Sequence, residues 1–187
     1  HSANQDPYEF RLNLLTHQPR FQKVLNAVAE NSNWGRKLSE GSGLGIAIHN
    51  TRGSIGAVVI EISMDELGNL NLKKAWMVID CGKVINPDTV KAQMQGGFIF
   101  GLSACLSEEI TLKDGRVEQS NFHDYQILRQ KGIPEIYVEI IESGAKLGGV
   151  GELGPPLAAP VLTNAIYAAT GNRYRSLPLK NHGIKII

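Results

Sequence analysis

The spacing of apolar residues along this chain changes rhythm, and each change marks an element. Phe21, Val24, Leu25 and Val28 recur every three or four residues, which predicts a helix over 19–29. Upstream, Asp6 can accept from free helical amides and Pro7 has no amide to satisfy, so 7–15 is a second predicted helix. The polar, glycine-bearing stretch 31–43 reads as a loop. The rhythm then becomes β-like. Residues 45–50 and 55–63 are apolar and β-branched around an Arg52-Gly53-Ser54 turn, and 70–79 pairs back through 65–69. Asn86 as cap and Pro87 at the first position start a helix over 88–106. That helix holds Gly96, Gly97 and Gly101, each costing about 1 kcal/mol relative to alanine, so something is expected to pack closely on it. Residues 108–112 and 116–119 flank Asp114-Gly115, a type I′ hairpin signal. A strand over 135–141, a loop over 142–156 and a helix over 157–170 closed by Gly171 complete the chain.

Helices and strands in this order predict an α+β fold of mixed sheets with packed helices, not a doubly wound sheet. Residues 1–43 are a helical lead-in, and 44–187 an α+β core carrying a loop at 147–156. There is no internal repeat. At 187 residues, 42% of them hydrophobic and 20% charged, the chain can bury one core. A net charge of +1 gives no field for nucleic acid or an anionic membrane. The apolar run 96–106 is too short to span a bilayer, and residues 1–6 have no apolar signal segment. Cys81, Cys105 and the five histidines (His1, His17, His49, His123, His182) stand at no metal-ligand spacing. A metal used by this protein is therefore expected to be held by something other than its side chains.

The stretch Leu147-Gly148-Gly149-Val150-Gly151-Glu152-Leu153-Gly154-Pro155-Pro156 carries the candidate chemistry. Three glycines before one acid let the backbone approach a bulky ligand and offer amides to it. A carboxylate desolvated in such a loop can accept a proton near neutral pH. The plain alternative is a solvated acid on a glycine-rich turn. Other positions have similarly plain readings. His49 and His123 read as core or surface histidines rather than parts of a substrate route, and Phe98 and Phe100 as core. Arg52-Gly53-Ser54 is either a hairpin turn or a cofactor-facing backbone, and Cys81 and Cys105 are small apolar fillers.

Gly148-Gly149-Val150-Gly151-Glu152 followed by Pro155-Pro156-Leu157 resembles the glycine-valine-glycine-glutamate signature of the xanthine dehydrogenase and aldehyde oxidase family. The likeness is strongest to the isoquinoline 1-oxidoreductase branch and related bacterial aldehyde dehydrogenases. It extends to Asp80-Cys81-Gly82-Lys83-Val84-Ile85-Asn86-Pro87, Gln93-Met94-Gln95-Gly96-Gly97, Gly101-Leu102 and the stretch 111–125, in family order. Leu147-Gly148 stands where many relatives have serine-lysine. Leu153 replaces a proline that often follows the glutamate, a change expected to loosen the loop.

The resemblance implies an oxidoreductase whose molybdenum is held by a molybdopterin cofactor, in its cytosine dinucleotide form. Glu152 would be the general base that generates a water-derived nucleophile for C–H oxidation of an N-heteroaromatic ring or an aldehyde. Gln93, Gly149, Val150 and Gly151 would bind the cofactor, with no protein side chain as metal ligand. Electrons would leave through iron–sulfur clusters on a small partner subunit. The family's glycine-phenylalanine-glycine-glycine motif and small N-terminal domain have no counterpart here. The chain is thus expected to be the C-terminal part of the cofactor subunit, partnered by the missing N-terminal part and inactive by itself. A non-catalytic scaffold that kept the fold, or a free-standing small-molecule-binding domain, are the alternatives. Compartment is not legible, although relatives of this branch are often periplasmic.

Overall fold

A computed structural model describes residues 2–187. Two short helices come first: α1 (Pro7–Leu14) and α2 (Pro19–Asn31). Asp6 caps α1 as expected, accepting from the amides of Tyr8 at 2.8 Å and Glu9 at 3.1 Å. Three long strands follow, β1 (Ser42–Thr51), β2 (Ser54–Met64) and β3 (Asn69–Asp80), pairing as an antiparallel meander. Helix α3 (Pro87–Leu106) is capped by Asn86, whose side chain accepts from the Thr89 amide at 3.0 Å. After a small hairpin of β4 (Leu112–Lys113) and β5 (Arg116–Val117), β6 (Glu135–Ile140) returns parallel to β3. Helix α4 (Pro155–Thr170) and a last two-residue strand, β7 (Lys185–Ile186), complete the fold.

The expected α+β architecture is present. The main sheet runs β1-β2-β3-β6, with β7 beside the start of β3, and it is covered on both faces. Alternate residues of β2 serve different layers: Ala57 and Val59 pack with Val24, Leu25 and Val28 of α2, while Val58, Ile60 and Ile62 pack with α3 and α4. This is why the sequence of β2 reads as a continuous apolar run instead of alternating. The helical lead-in therefore contributes one layer of the core. Among the described residues no helix is long and apolar enough to cross a membrane.

Several boundaries differ from expectation, among them β1, which begins at Ser42 and not at 45, and two have a clear local cause. The hairpin strands shrink to two residues each, because Gln119 takes the Thr111 amide with its side-chain oxygen at 2.7 Å, replacing a ladder bond. Its turn keeps the type I′ geometry, with Asp114 at φ 51° and Gly115 at φ 75°. Helix α4 begins at Pro155, two residues early, since proline suits the first helical position.

The anticipated close packing on α3 comes from the start of α4. A Cβ on Gly101 would stand 2.6 Å from the Pro155 carbonyl oxygen and 2.8 Å from the Ala158 methyl, and one on Gly97 would meet the Pro155 ring at 3.0 Å. These two glycines let the helices touch backbone to backbone, which fixes where the loop before α4 must sit.

Candidate active site

The glycine loop between β6 and α4 is held at four points. The Gly148 amide donates to the Cys81 carbonyl and the Gly149 amide to the Arg52 carbonyl, both at 2.9 Å. Gln93 Nε2, on α3, donates to the Gly151 carbonyl at 3.0 Å. Leu153 is fully buried beneath the loop, packed over Gly56 of β2. The expectation that Leu153 would loosen the loop is thus corrected: its side chain is an apolar anchor that a proline ring could not extend as deeply. Val150 is partly buried against the same core, so Gly151 and Glu152 form an exposed step between two anchored residues.

Glu152 is exposed and makes no hydrogen bond or ion pair with any described residue. The desolvation expected of a loop base is therefore not supplied by this chain. What the chain does supply is placement of the carboxylate on a pinned backbone. The amides of Val150, Gly151 and Glu152 donate to no acceptor among the described residues. Three consecutive free N–H groups beside an open face suit an oxygen-rich ligand. The Gly149 amide is already committed to Arg52, which leaves its exposed Cα as the surface it can offer.

On α3, Gln93, Gly96 and Phe100 are exposed at spacings of three and four residues, and so share one face. Gly96 differs from its neighbours, since a Cβ there would meet nothing within 4 Å. The Gly151 position is equally open. Phe98 is core, as expected, whereas Phe100 is 67% exposed on the Gln93 face and is not core. The turn Arg52-Gly53-Ser54 is a hairpin turn, and its Arg52 carbonyl seats the glycine loop by accepting from the Gly149 amide.

His49 is half-buried on β1 and His123 is exposed beside Asp124 at 3.5 Å; neither hydrogen-bonds to the loop. Cys81 and Cys105 are buried fillers, and burial pushes the Cys105 thiol up to about 12. No group of three or more His, Cys, Asp or Glu side chains among the described residues could hold a metal. A cleft of about 1070 Å³ lies between the N-terminal segment, β1 and the end of α4, and includes neither Glu152 nor Gln93. The acid of interest stands on an open face instead of in that cleft.

Sequence reasoning missed Arg20, and quoted Asp80 as part of a matched stretch without seeing that the two pair. Arg20 on α2 pairs with the Asp80 carboxylate at 2.9 Å, at the end of β3 directly before Cys81. An acid closing the apolar run Met77-Val78-Ile79 was the available signal, because a buried carboxylate needs a partner.

The family model of the molybdopterin cofactor-binding domain matches residues 22–134. The chain is 39% identical over 181 residues to the beta subunit of isoquinoline 1-oxidoreductase from Brevundimonas diminuta, covering 95% of this chain and 23% of that protein. It is 31% identical over 120 residues to the molybdenum-binding subunit of an aldehyde oxidoreductase from Escherichia coli, covering 60% and 16%. Among solved structures, the aldehyde oxidoreductase of Desulfovibrio desulfuricans aligns with a TM-score of 0.60 and 30% identity, over 67% of this chain and 14% of that one. The quinoline 2-oxidoreductase of Pseudomonas putida 86 aligns with a TM-score of 0.63 at 23% identity, over 67% and 17%, a likeness of fold alone. The chain spans about a quarter or less of the curated relatives named here.

Proposed function

This chain belongs to the molybdopterin cofactor-binding domain family, and from that footing we propose that it is the C-terminal part of a molybdenum hydroxylase subunit with Glu152 as general base. The substrate class is an N-heteroaromatic ring or an aldehyde, with the inserted oxygen drawn from water. The observation that carries this reading is the placement of Glu152: an exposed, unpartnered carboxylate on a step anchored by Val150 and Leu153, beside free amides and the Gln93 side chain.

These residues fit a molybdopterin cofactor, and the form we propose for it is the cytosine dinucleotide. The free amides of Val150 and Gly151 would donate to its oxygen atoms, the exposed Cα of Gly149 would lie against it, and Gln93 would use the amide valences not spent on Gly151. When bound, the cofactor supplies the redox centre that accepts the two electrons of the C–H bond. Glu152 takes the proton from water, and its fixed backbone keeps the accepting oxygen in place while that proton moves. The walls that desolvate the carboxylate come from the N-terminal part of the subunit, so the 187-residue chain alone binds the cofactor weakly and turns nothing over. On this reading, iron–sulfur clusters on a small partner subunit would supply the onward path for the electrons.

Glu152→Gln in the full-length subunit tests this reading, because the amide keeps the reach of the side chain and cannot take the proton. Molybdenum content should be unchanged, while reduction of the metal by substrate in a single turnover slows by about 10²–10⁴-fold. A fully loaded variant with a near-normal rate would remove Glu152 from the chemistry.

A further inference from the structure

The Asp80 side chain is only 1% exposed, yet it is saturated with donors. Arg20 Nε donates to Oδ2 and Arg20 Nη2 to Oδ1, each at 2.9 Å. Oδ1 also accepts from the Gly82 amide at 2.9 Å and the Ser143 hydroxyl at 2.8 Å. Arg20 Nη2 reaches one step further, to the Gly53 carbonyl at 3.3 Å. Burial pushes the Asp80 carboxyl pKa up, but these donors outweigh it and hold the group below the usual carboxylate value.

The connections converge on the glycine loop. Gly53 follows Arg52, whose carbonyl holds the Gly149 amide, and Cys81, whose carbonyl holds the Gly148 amide, sits between Asp80 and Gly82. Gly82 has φ 71° and lies directly against the backbone of Ala145 and Lys146, where a Cβ would not fit. Ser143 opens the same connection from the β6 side. With the Asp80 side chain buried and that of Arg20 35% exposed, the pair is a poor means of adding stability, since desolvating the carboxylate offsets much of the attraction. Two apolar side chains would fill the space as well. They could not hold the Gly53 carbonyl, the Gly82 amide and the Ser143 hydroxyl together.

We propose that the Arg20–Asp80 pair is a positioning clamp for the glycine loop: it fixes the turns at 52–53 and 81–82, whose carbonyls in turn set the direction in which Gly151 and Glu152 are presented. Arg20 and Asp80 touch neither substrate nor cofactor on this reading; they act through Gly148 and Gly149. The consequence for turnover rests on Glu152 being the base, whereas the consequence for the loop does not.

The test uses the full-length subunit in its assembled form. Asp80→Asn is nearly isosteric and removes the charge, and Arg20→Lys keeps the charge but loses the two-pronged fork. Amide hydrogen exchange at Gly148 and Gly149 reads the loop, with Val59 in β2 as the internal reference for global opening. Asp80→Asn should accelerate exchange at both glycines about tenfold or more relative to Val59, and lower kcat per bound molybdenum by a similar factor with KM little changed. Arg20→Lys should fall between Asp80→Asn and the native protein on both measures. Unchanged exchange at the two glycines overturns the clamp whatever the rate does. Acceleration shared equally by Val59 overturns it too, as plain destabilisation, and so does faster glycine exchange at a normal kcat per molybdenum when Glu152→Gln has lost its rate. Should Glu152→Gln retain its rate, the base assignment fails by itself and glycine exchange in Asp80→Asn still decides the clamp.

Discussion

Gly96→Ala should make this chain more stable and the assembled subunit worse at holding its cofactor. Gly96 lies inside α3, a 20-residue helix, with its side-chain direction pointing into open space. A mid-helix glycine is less favourable than alanine by about 0.5–1 kcal/mol, and with nothing to clash with, that amount should be recovered. For a domain of this size it corresponds to a rise in Tm of about 1–4 °C. Gly97→Ala and Gly101→Ala are the controls, because their methyl groups would meet Pro155 at 3.0 and 2.6 Å and should lower Tm. In the full-length subunit the prediction reverses. If the cofactor lies across Gln93, Gly96 and Gly151, the new methyl overpacks that contact at a cost of about 1–3 kcal/mol, or roughly 5–150-fold in affinity. Differential scanning calorimetry of the chain and molybdenum analysis of the purified subunit read the two effects separately. A variant with raised Tm and unchanged molybdenum content would show that no ligand uses this face, and a lowered Tm in the chain would refute the helix reasoning itself.

Two further outcomes follow from the same geometry. Gln93→Ala removes the bond to the Gly151 carbonyl and a polar contact to the proposed cofactor, so single-turnover reduction should slow about tenfold; unchanged rate and loading would return Gln93 to the role of a helix-surface residue. Cys81 and Cys105 are 2% and 1% exposed and burial raises both thiol pKa values, that of Cys105 to about 12, so little thiolate exists at pH values below these. An alkylating reagent near neutral pH should label neither until the chain unfolds, and stoichiometric native labelling would contradict the packing around α3 and β3.

Much of the fold was legible because its signals are local. Asp6 and Asn86 announce helix starts through their own side-chain oxygens, and Asp114-Gly115 announces a turn through the left-handed backbone both residues adopt. The glycines of α3 announced a close neighbour, though not that Pro155 and Ala158 would be that neighbour. Pairings between distant segments left no such mark. Residues 74–79 of β3 lie parallel to 135–140 of β6, and nothing in either stretch names the other. The Arg20–Asp80 pair spans 60 residues and was invisible for the same reason. Phe100 was misassigned because an aromatic residue inside an apolar run looks like core until the helix face is known. As for the site, the loop's composition suggested a ligand, but only the resemblance picked Glu152 from among the chain's acids.

The glycines of the two motifs fall into two groups according to what a Cβ would touch. At Gly97, Gly101, Gly148, Gly149 and Gly154 it would strike Pro155, the Gly53-Ser54 backbone, the Arg52 side chain or the α3 backbone, so the packing of this chain accounts for them. At Gly96 and Gly151 it would strike nothing. Packing alone predicts that such positions drift toward residues with better local propensity, because an unneeded glycine carries an entropic cost. Both unexplained glycines stand on the face that also presents Gln93 and leads to Glu152. The exposure of Glu152 belongs with them: burial can act on this carboxylate only when walls from outside this chain remove the water around it. On the proposed reading the work is divided. This chain fixes the position of the proton acceptor through Leu153, Gln93 and the two turn carbonyls, and the rest of the subunit, together with the cofactor, supplies the environment that tunes it.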